Sequence, residues 1–424
     1  MRITRNLLLF ATFLFVSFAS YSQGINTFSP YSRYGIGEVR TRGYANNKAL
    51  GGISQGIRND KSVNFLNPAS YSSQDSMSFI FDFGLEAIGV DYRTNSQSNF
   101  NSGANLHHLA IQFPMTKWLG VSAGIQPFSN VGYRLKYTED DDNLLSSIGA
   151  IKYYHFGKGG ITQSYFGLAF EPFEGFSVGT NLSYFFGSLE HSVDVVFPDD
   201  TPYGTVNKLN SIVVRDIGLS FGAQWAFHLG AEKQLRVVLG ATLDNETKLG
   251  AQNIQYISYP LGNTIDTIQY NELSDAAIDF PKNLTAGFSL AYKNIFMVGA
   301  DYSVQDWTNS GFMGQSANLT KSETVRVGIQ YTPSPNDLRS YLKRVSYRGG
   351  FYNSKTYLQF DDNQINDYGI TFGVGLPFRR TNTSFNISCE VGRKGNTDYI
   401  QETYGVFNVG FTFYDFWFIK RKYN

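Results

Sequence analysis

The sequence predicts a transmembrane antiparallel up-and-down β-barrel of about fourteen strands, with an N-terminal segment plugging its lumen. Three observations carry that expectation. Apolar residues alternate with small or polar ones at a period of two along most of the chain. Short turns alternate with long connections. A leader of the export type opens the chain.

The leader reads MRITRNLLLFATFLFVSFASYSQG. Arg2 and Arg5 supply the positive start, Leu7 to Phe18 the uncharged apolar run, and Ser20 and Ser22 the small residues before a cut ahead of Gln23. The run is too short for a membrane helix, which needs roughly 20 residues. A signal peptide is therefore expected over residues 1–22, and nothing after Gln23 is apolar for long enough to span as a helix.

Residues 23–76 have neither helical nor strand periodicity. Gly35, Gly37, Gly51, Gly52 and Gly56 permit turns and close backbone approach, and Pro68 fixes a rigid step after Asn67. Phe28, Tyr31, Tyr34, Ile53, Ile57, Phe65 and Leu66 are apolar anchors that a disordered leader would lack. This is the composition of a plug.

From residue 77 the strand signal takes over. Ile217, Leu219, Phe221, Ala223, Trp225 and Phe227 share one face, and Gly218, Ser220, Gly222, Gln224 and Ala226 the other. Leu284 to Tyr292 and Val325 to Tyr331 repeat the pattern. A soluble sandwich also alternates, but its polar face is usually rich in Lys, Glu and Thr. Here the second face is mostly Gly, Ser, Ala and Gln, which suits a lumen opposite a lipid-facing side.

The turns Pro114 to Lys117, Glu171 to Gly175, Leu229 to Gln234, Lys293-Asn294 and Arg379 to Thr383 are short, and Thr332 to Arg344 falls in the same parity. Between them come longer polar stretches near 93–104, 198–210, 244–281, 306–322, 356–366 and 393–403, expected as external loops. The barrel is placed at 77–416. Its last strand sets Phe407, Val409, Phe411 and Phe413 on one face, an aromatic C-terminal insertion signal of the bacterial-barrel kind, and a basic periplasmic tail follows at 417–424.

Composition excludes much else. With 35 basic and 35 acidic residues there is no charge argument for nucleic acid. The single cysteine, Cys389, cannot form an internal disulfide, and the five histidines lack ligand spacing. Acids at 139–143 and 361–363 are of a type that binds Ca²⁺, but they lack a ligand-loop spacing and are read as solvated surface. No nucleophile–base pair, phosphate loop or carboxylate dyad stands out. No enzyme activity, cofactor or metal is expected.

The stretch ALGGISQGIRNDKSVNFLNPASYS resembles the hatch signature of the FadL/TodX family of outer-membrane transporters for long-chain fatty acids and other hydrophobic compounds. The matching positions are Gly51, Gly52, Asp60, Ser62, Asn67, Pro68 and Ala69. Phe280 to Asn309, VRVGIQYTPS, YRGGFY and YGITFGVGLPF are similar to that family's later strands. The resemblance implies a Gram-negative outer-membrane barrel, a hatch at 23–76, hydrophobic cargo, and lateral release into the membrane through an opening in the wall. Gly124 and Pro127 are the candidates for that opening, since proline donates nothing to a strand ladder; an ordinary proline near a strand end is the alternative. Expected partners are outer-membrane lipid, hydrophobic cargo and the barrel-assembly machinery during insertion. A second reading makes the barrel a docking subunit of a multi-protein outer-membrane complex, with surface lipoprotein or periplasmic partners and no cargo.

Overall fold

The computed structural model describes residues 27–39, 43–230, 232–261, 264–312, 315–316, 319–379 and 381–417. The expected signal peptide, the first residues of the plug and all of the basic tail beyond residue 417 lie outside them.

Fourteen strands make the wall. In chain order they are β1 (Ser78–Arg93), β2 (Ser98–Pro114), β3 (Leu119–Asn130, resuming at Tyr133–Thr138), β4 (Lys152–Phe173) and β5 (Phe176–Val196). Next come β6 (Val206–Leu229), β7 (Leu235–Asp244, resuming at Thr247–Leu261), β8 (Thr264–Phe280, resuming at Asn283–Tyr292) and β9 (Phe296–Asp306). The circuit ends with β10 (Lys321–Tyr331), β11 (Ser346–Phe360), β12 (Asn363–Pro377), β13 (Ser384–Lys394) and β14 (Gln401–Phe416). Each strand pairs antiparallel with its sequence neighbours. The ring closes because β14 pairs with β1 over its whole length, from Phe416 opposite Ser78 to Gln401 opposite Arg93. Closure leaves the wall without free outer edges along that seam. No helix among the described residues is long and apolar enough to cross a membrane, a statement that does not touch crossing by strands.

The apolar face points outward. Ile217, Leu219, Phe221 and Trp225 on β6 are exposed, whereas Gln224 between them is 1% exposed. The same parity holds on β14, where Phe407 and Phe413 are exposed and Asn408 and Thr412 are buried. In a water-soluble fold these burials would be reversed. A barrel whose outside is aromatic and whose inside is polar is stable only with lipid around it.

Turn chemistry sets the ends. Lys293 and Asn294, with φ of 50° and 56°, form the tight link between β8 and β9, the left-handed pair that matches strand twist in a two-residue hairpin. Asp361 and Asp362 (φ 44° and 63°) do the same between β11 and β12 at the opposite end. Two of the stretches expected as long polar loops, 244–281 and 356–366, are largely strand instead. Thr247–Leu261 and Thr264–Phe280 build a two-stranded extension of β7 and β8, paired as far as Leu261 opposite Thr264, and β11 and β12 run through 356–366. Above the lipid both faces of such strands are wet, so the alternation that marks a strand is lost while the backbone ladder continues.

Candidate functional site: a filled lumen and an interrupted wall

Residues 27–39 and 43–77 lie inside the ring and bond to strands on all sides. Asn67 caps the short 3-10 helix Pro68–Ser73, its Oδ1 accepting from the Ala69 amide at 3.2 Å, with Pro68 at the first helical position, where its missing N–H costs nothing. The Asn67 Nδ2 donates to Gln55 Oε1 at 3.1 Å and to the Ala223 carbonyl of β6 at 3.4 Å. Asn67 and Ala69 are fully buried. Gly51 has φ 69° and its amide donates to Thr371 Oγ1 of β12 at 2.9 Å; Gly52, with φ 83°, donates to the Asn47 carbonyl. The sequence-matched positions thus hold the turns of this segment. Asp60 and Ser62 sit apart from them, half-buried at the short-turn end. Burial pushes the Asp60 carboxyl up from its ordinary value, and Lys61 draws it back.

Charge and polar side chains from the wall complete the interface. Asp301 of β9 accepts from the Ser54 and Gln55 amides at 2.6 and 3.0 Å through one oxygen. Arg58 reaches Glu171 of β4 at 2.7 Å, and Lys48 pairs with Glu86 of β1, both of the latter pair 5% exposed. Tyr44 stacks on His108 of β2 with ring centroids 3.6 Å apart, and His108 Nε2 meets Asp82 Oδ1 at 2.8 Å. The partner of His108 at 2.8 Å on its other nitrogen is His107, the extra residue of a bulge opposite Gly84–Leu85.

Size matters as much as bonding. Ten wall strands present a glycine whose added Cβ would strike the plug: Gly120, Gly167, Gly179, Gly222, Gly240, Gly299, Gly328, Gly350, Gly373 and Gly410. They form a belt at which plug backbone comes against Gly120, Gly179, Gly240, Gly328 and Gly350, and plug side chains against the other five. Composition analysis placed such glycines on the small, inward face. Their recurrence at one parity, strand after strand, was the available signal for a tightly filled lumen.

What space remains is mixed in character, with charged groups set among apolar ones such as Phe65, Leu66, Ile88 and Val406. A cavity of about 270 Å³ above the plug is lined by Lys48, Glu86, Arg326, Asp367, Lys394 and Glu402 among others. The apolar part of the upper lumen is packed solid. Phe128 stands 4.8 Å from Phe185 and 5.3 Å from Phe280, ring to ring, and Trp307 lies 5.3 Å from Phe280 and 4.6 Å from Tyr357. A second, larger cavity of about 1210 Å³ opens at the short-turn end, beneath Gly56–Asn64.

The wall is interrupted between β2 and β3. Their ladder runs from Pro114 opposite Gly120 to Leu109 opposite Ile125, so Gly124 is paired and Pro127 lies just beyond the last rung. Above it, residues 98–108 of β2 have no strand partner on the β3 side among the described residues. Instead the two-residue strand Glu38–Val39 of the plug pairs with Asn130 and Ser129 of β3. A bulge between Pro127 and Ser129 and the break at 131–132 bend β3 there. Phe407, Val409, Phe411 and Phe413 lie together on the lipid side of β14, away from the plug.

These features define a plugged β-barrel of the outer-membrane type, closed by fourteen strands. The chain belongs to the BamG family, whose model matches residues 3–424. No curated protein matches it in sequence. Its fold is similar to that of solved channels. The Ralstonia pickettii toluene transporter TbuX aligns at TM-score 0.58 and 15% identity, covering 87% of this chain and 97% of that one. A Pseudomonas aeruginosa FadL homologue aligns at 0.57 and 12%, covering 87% and 98%. The Pseudomonas putida toluene transporter TodX aligns at 0.56 and 15%, covering 93% and 99%.

Proposed function

We propose that this barrel is a docking subunit of a multi-protein outer-membrane complex, in the barrel-assembly machinery that its family name indicates, and that it carries no cargo of its own. The packed apolar lumen carries this reading. A greasy cargo gains its binding energy by shedding water against apolar surface, yet the apolar cluster around Phe128 is filled by its own side chains, and the open cavity of about 270 Å³ sets Lys48, Glu86, Arg326, Asp367, Lys394 and Glu402 among its apolar groups. Exposed apolar residues lie instead on the long-end extension, Ile268, Tyr270 and Leu273 among them, where a partner would find them. Residues 23–76 then serve as a structural plug.

The second reading is transport of hydrophobic small molecules such as long-chain fatty acids, by hatch rearrangement and lateral release. The fold likeness to toluene channels favours it, as does the interrupted ladder beside Pro127. Gentle extraction from the native outer membrane at natural abundance, followed by non-denaturing mass measurement, separates the two. A stable assembly with other proteins supports docking. A solitary barrel carrying a small apolar adduct overturns it in favour of transport.

A further inference from the structure

We infer that the cavity at the periplasmic, short-turn mouth is a docking site for an acidic segment of a periplasmic protein that also carries apolar side chains. The inference rests on the docking reading and places one of its contacts.

Charge is the first support. The cavity is lined by Arg236, Arg344, Arg348, Lys61 and Lys293, none of which forms an ion pair among the described residues. Its acids are Asp60, Asp337 and Asp415, and Asp337 already faces Lys343 at 3.7 Å. Arg348 donates only to the amide oxygens of Gln330 (2.8 Å) and Asn386 (3.1 Å), and Arg236 only to the Arg58 carbonyl at 3.1 Å. The Arg344 Nε is buried with no hydrogen-bond partner. Arg236 is partly offset by the nearby Asp60 and Arg344 lies over the Tyr341 ring, whereas Arg348 meets only neutral acceptors among the described residues; carboxylates are the ligands that fit a guanidinium fork.

Shape and surface narrow the ligand. About 1210 Å³ is far more than a single anion requires, since liquid water takes about 30 Å³ per molecule. The rim is the loop between β10 and β11, residues 332–345, on which Leu338 is 94% and Leu342 67% exposed. Basic groups within and leucines on the rim complement a segment that alternates acids with apolar residues. The site lies within the ring of turns, roofed by Gly56–Asn64 of the plug, away from the lipid-facing belt.

The test uses the full-length barrel in nanodiscs and a fluorescein-labelled twelve-residue peptide of alternating Glu and Leu, read by anisotropy. A Lys–Leu peptide of equal length is the control. Binding of the acidic peptide at least tenfold tighter than the basic one, weakened at least fivefold by Arg344→Gln with Arg348→Gln, supports the site. Lys61→Gln with Leu338→Ser changes only exposed side chains, and a threefold or greater loss is expected there even if the arginine variant folds poorly. Equal binding of the two peptides overturns the inference. So does full competition by 5 mM inorganic phosphate, roughly the level at which a simple anion site saturates, because the mouth would then be an anion site and not a protein-docking one. A native complex that survives both variants also overturns it, leaving the docking reading intact. Peptide binding without any native complex upholds the mouth site and removes the docking reading.

Discussion

The carbonyl of Gln55 in the plug occupies the position at which a side chain on Gly240 of β7 would begin. Wall and plug are therefore in backbone contact, and the lumen is sealed by the absence of atoms as much as by bonds. Gly240→Val is expected to cost at least ~1–3 kcal/mol through overpacking. Gly405→Ala, on β14, meets nothing closer than 4.0 Å and is expected to be neutral. Urea midpoints of the refolded barrel in lipid vesicles check both, and an unchanged midpoint for Gly240→Val would show that plug and wall do not touch there.

Asp301 anchors the plug turn at Ser54–Gln55 by accepting two buried amides on one oxygen. Its other oxygen is buried without a partner. Asp301→Ala strips both amides of their acceptor, at about 1–3 kcal/mol for each buried donor left unmet. Hydrogen exchange at Ser54 and Gln55 is expected to quicken at least tenfold. Asp301→Asn keeps an acceptor oxygen and should quicken it less.

Lys48 and Glu86 tie the plug to β1 at the margin of the upper cavity, each only 5% exposed. Breaking a buried pair from one side costs about 3–5 kcal/mol, whereas exchanging both members for apolar residues is often neutral. Lys48→Met is expected to lower thermal stability sharply, and Lys48→Met with Glu86→Met to recover most of the loss. A double variant as unstable as the single one would mean that other partners of Glu86 dominate.

The outward parity of β6 gives a membrane test. Phe221→Arg places a charge on the exposed apolar face, which near the bilayer midplane costs about 2–4 kcal/mol. The loss is measured by folding equilibria into vesicles. No loss would show that this face does not meet lipid.

The strands within the membrane were legible because lipid and lumen impose opposite demands on alternate residues. The alternation from Ile217 to Trp225 assigns these residues to the faces they occupy. Residues 264–280 were read as loop because nothing there enforces alternation: residues 266–273 are exposed on both faces of β8. The plug's turns were visible in Gly51, Gly52 and Asn67-Pro68-Ala69, but their wall partners were not. Thr371, Asp301 and Gln224 lie one to three hundred residues away in sequence, and only ring closure brings them inward. The basic mouth was equally hidden, since Arg236 stands at the start of β7 while Arg344 and Arg348 lie on the loop into β11 and near its start. Pro127 stands out in the sequence by its missing donor; the β2–β3 ladder ends at Ile125, two residues before it, while on its other side Pro127 pairs with Thr162 of β4.

The seam between β14 and β1 joins the last strand to the first, while the plug precedes both in the chain. A belt that leaves no clearance cannot admit a folded insert afterwards. The plug is therefore expected to reach its final shape as the ring closes and not after it. A cysteine pair introduced across that seam should then form only after the plug has become resistant to protease.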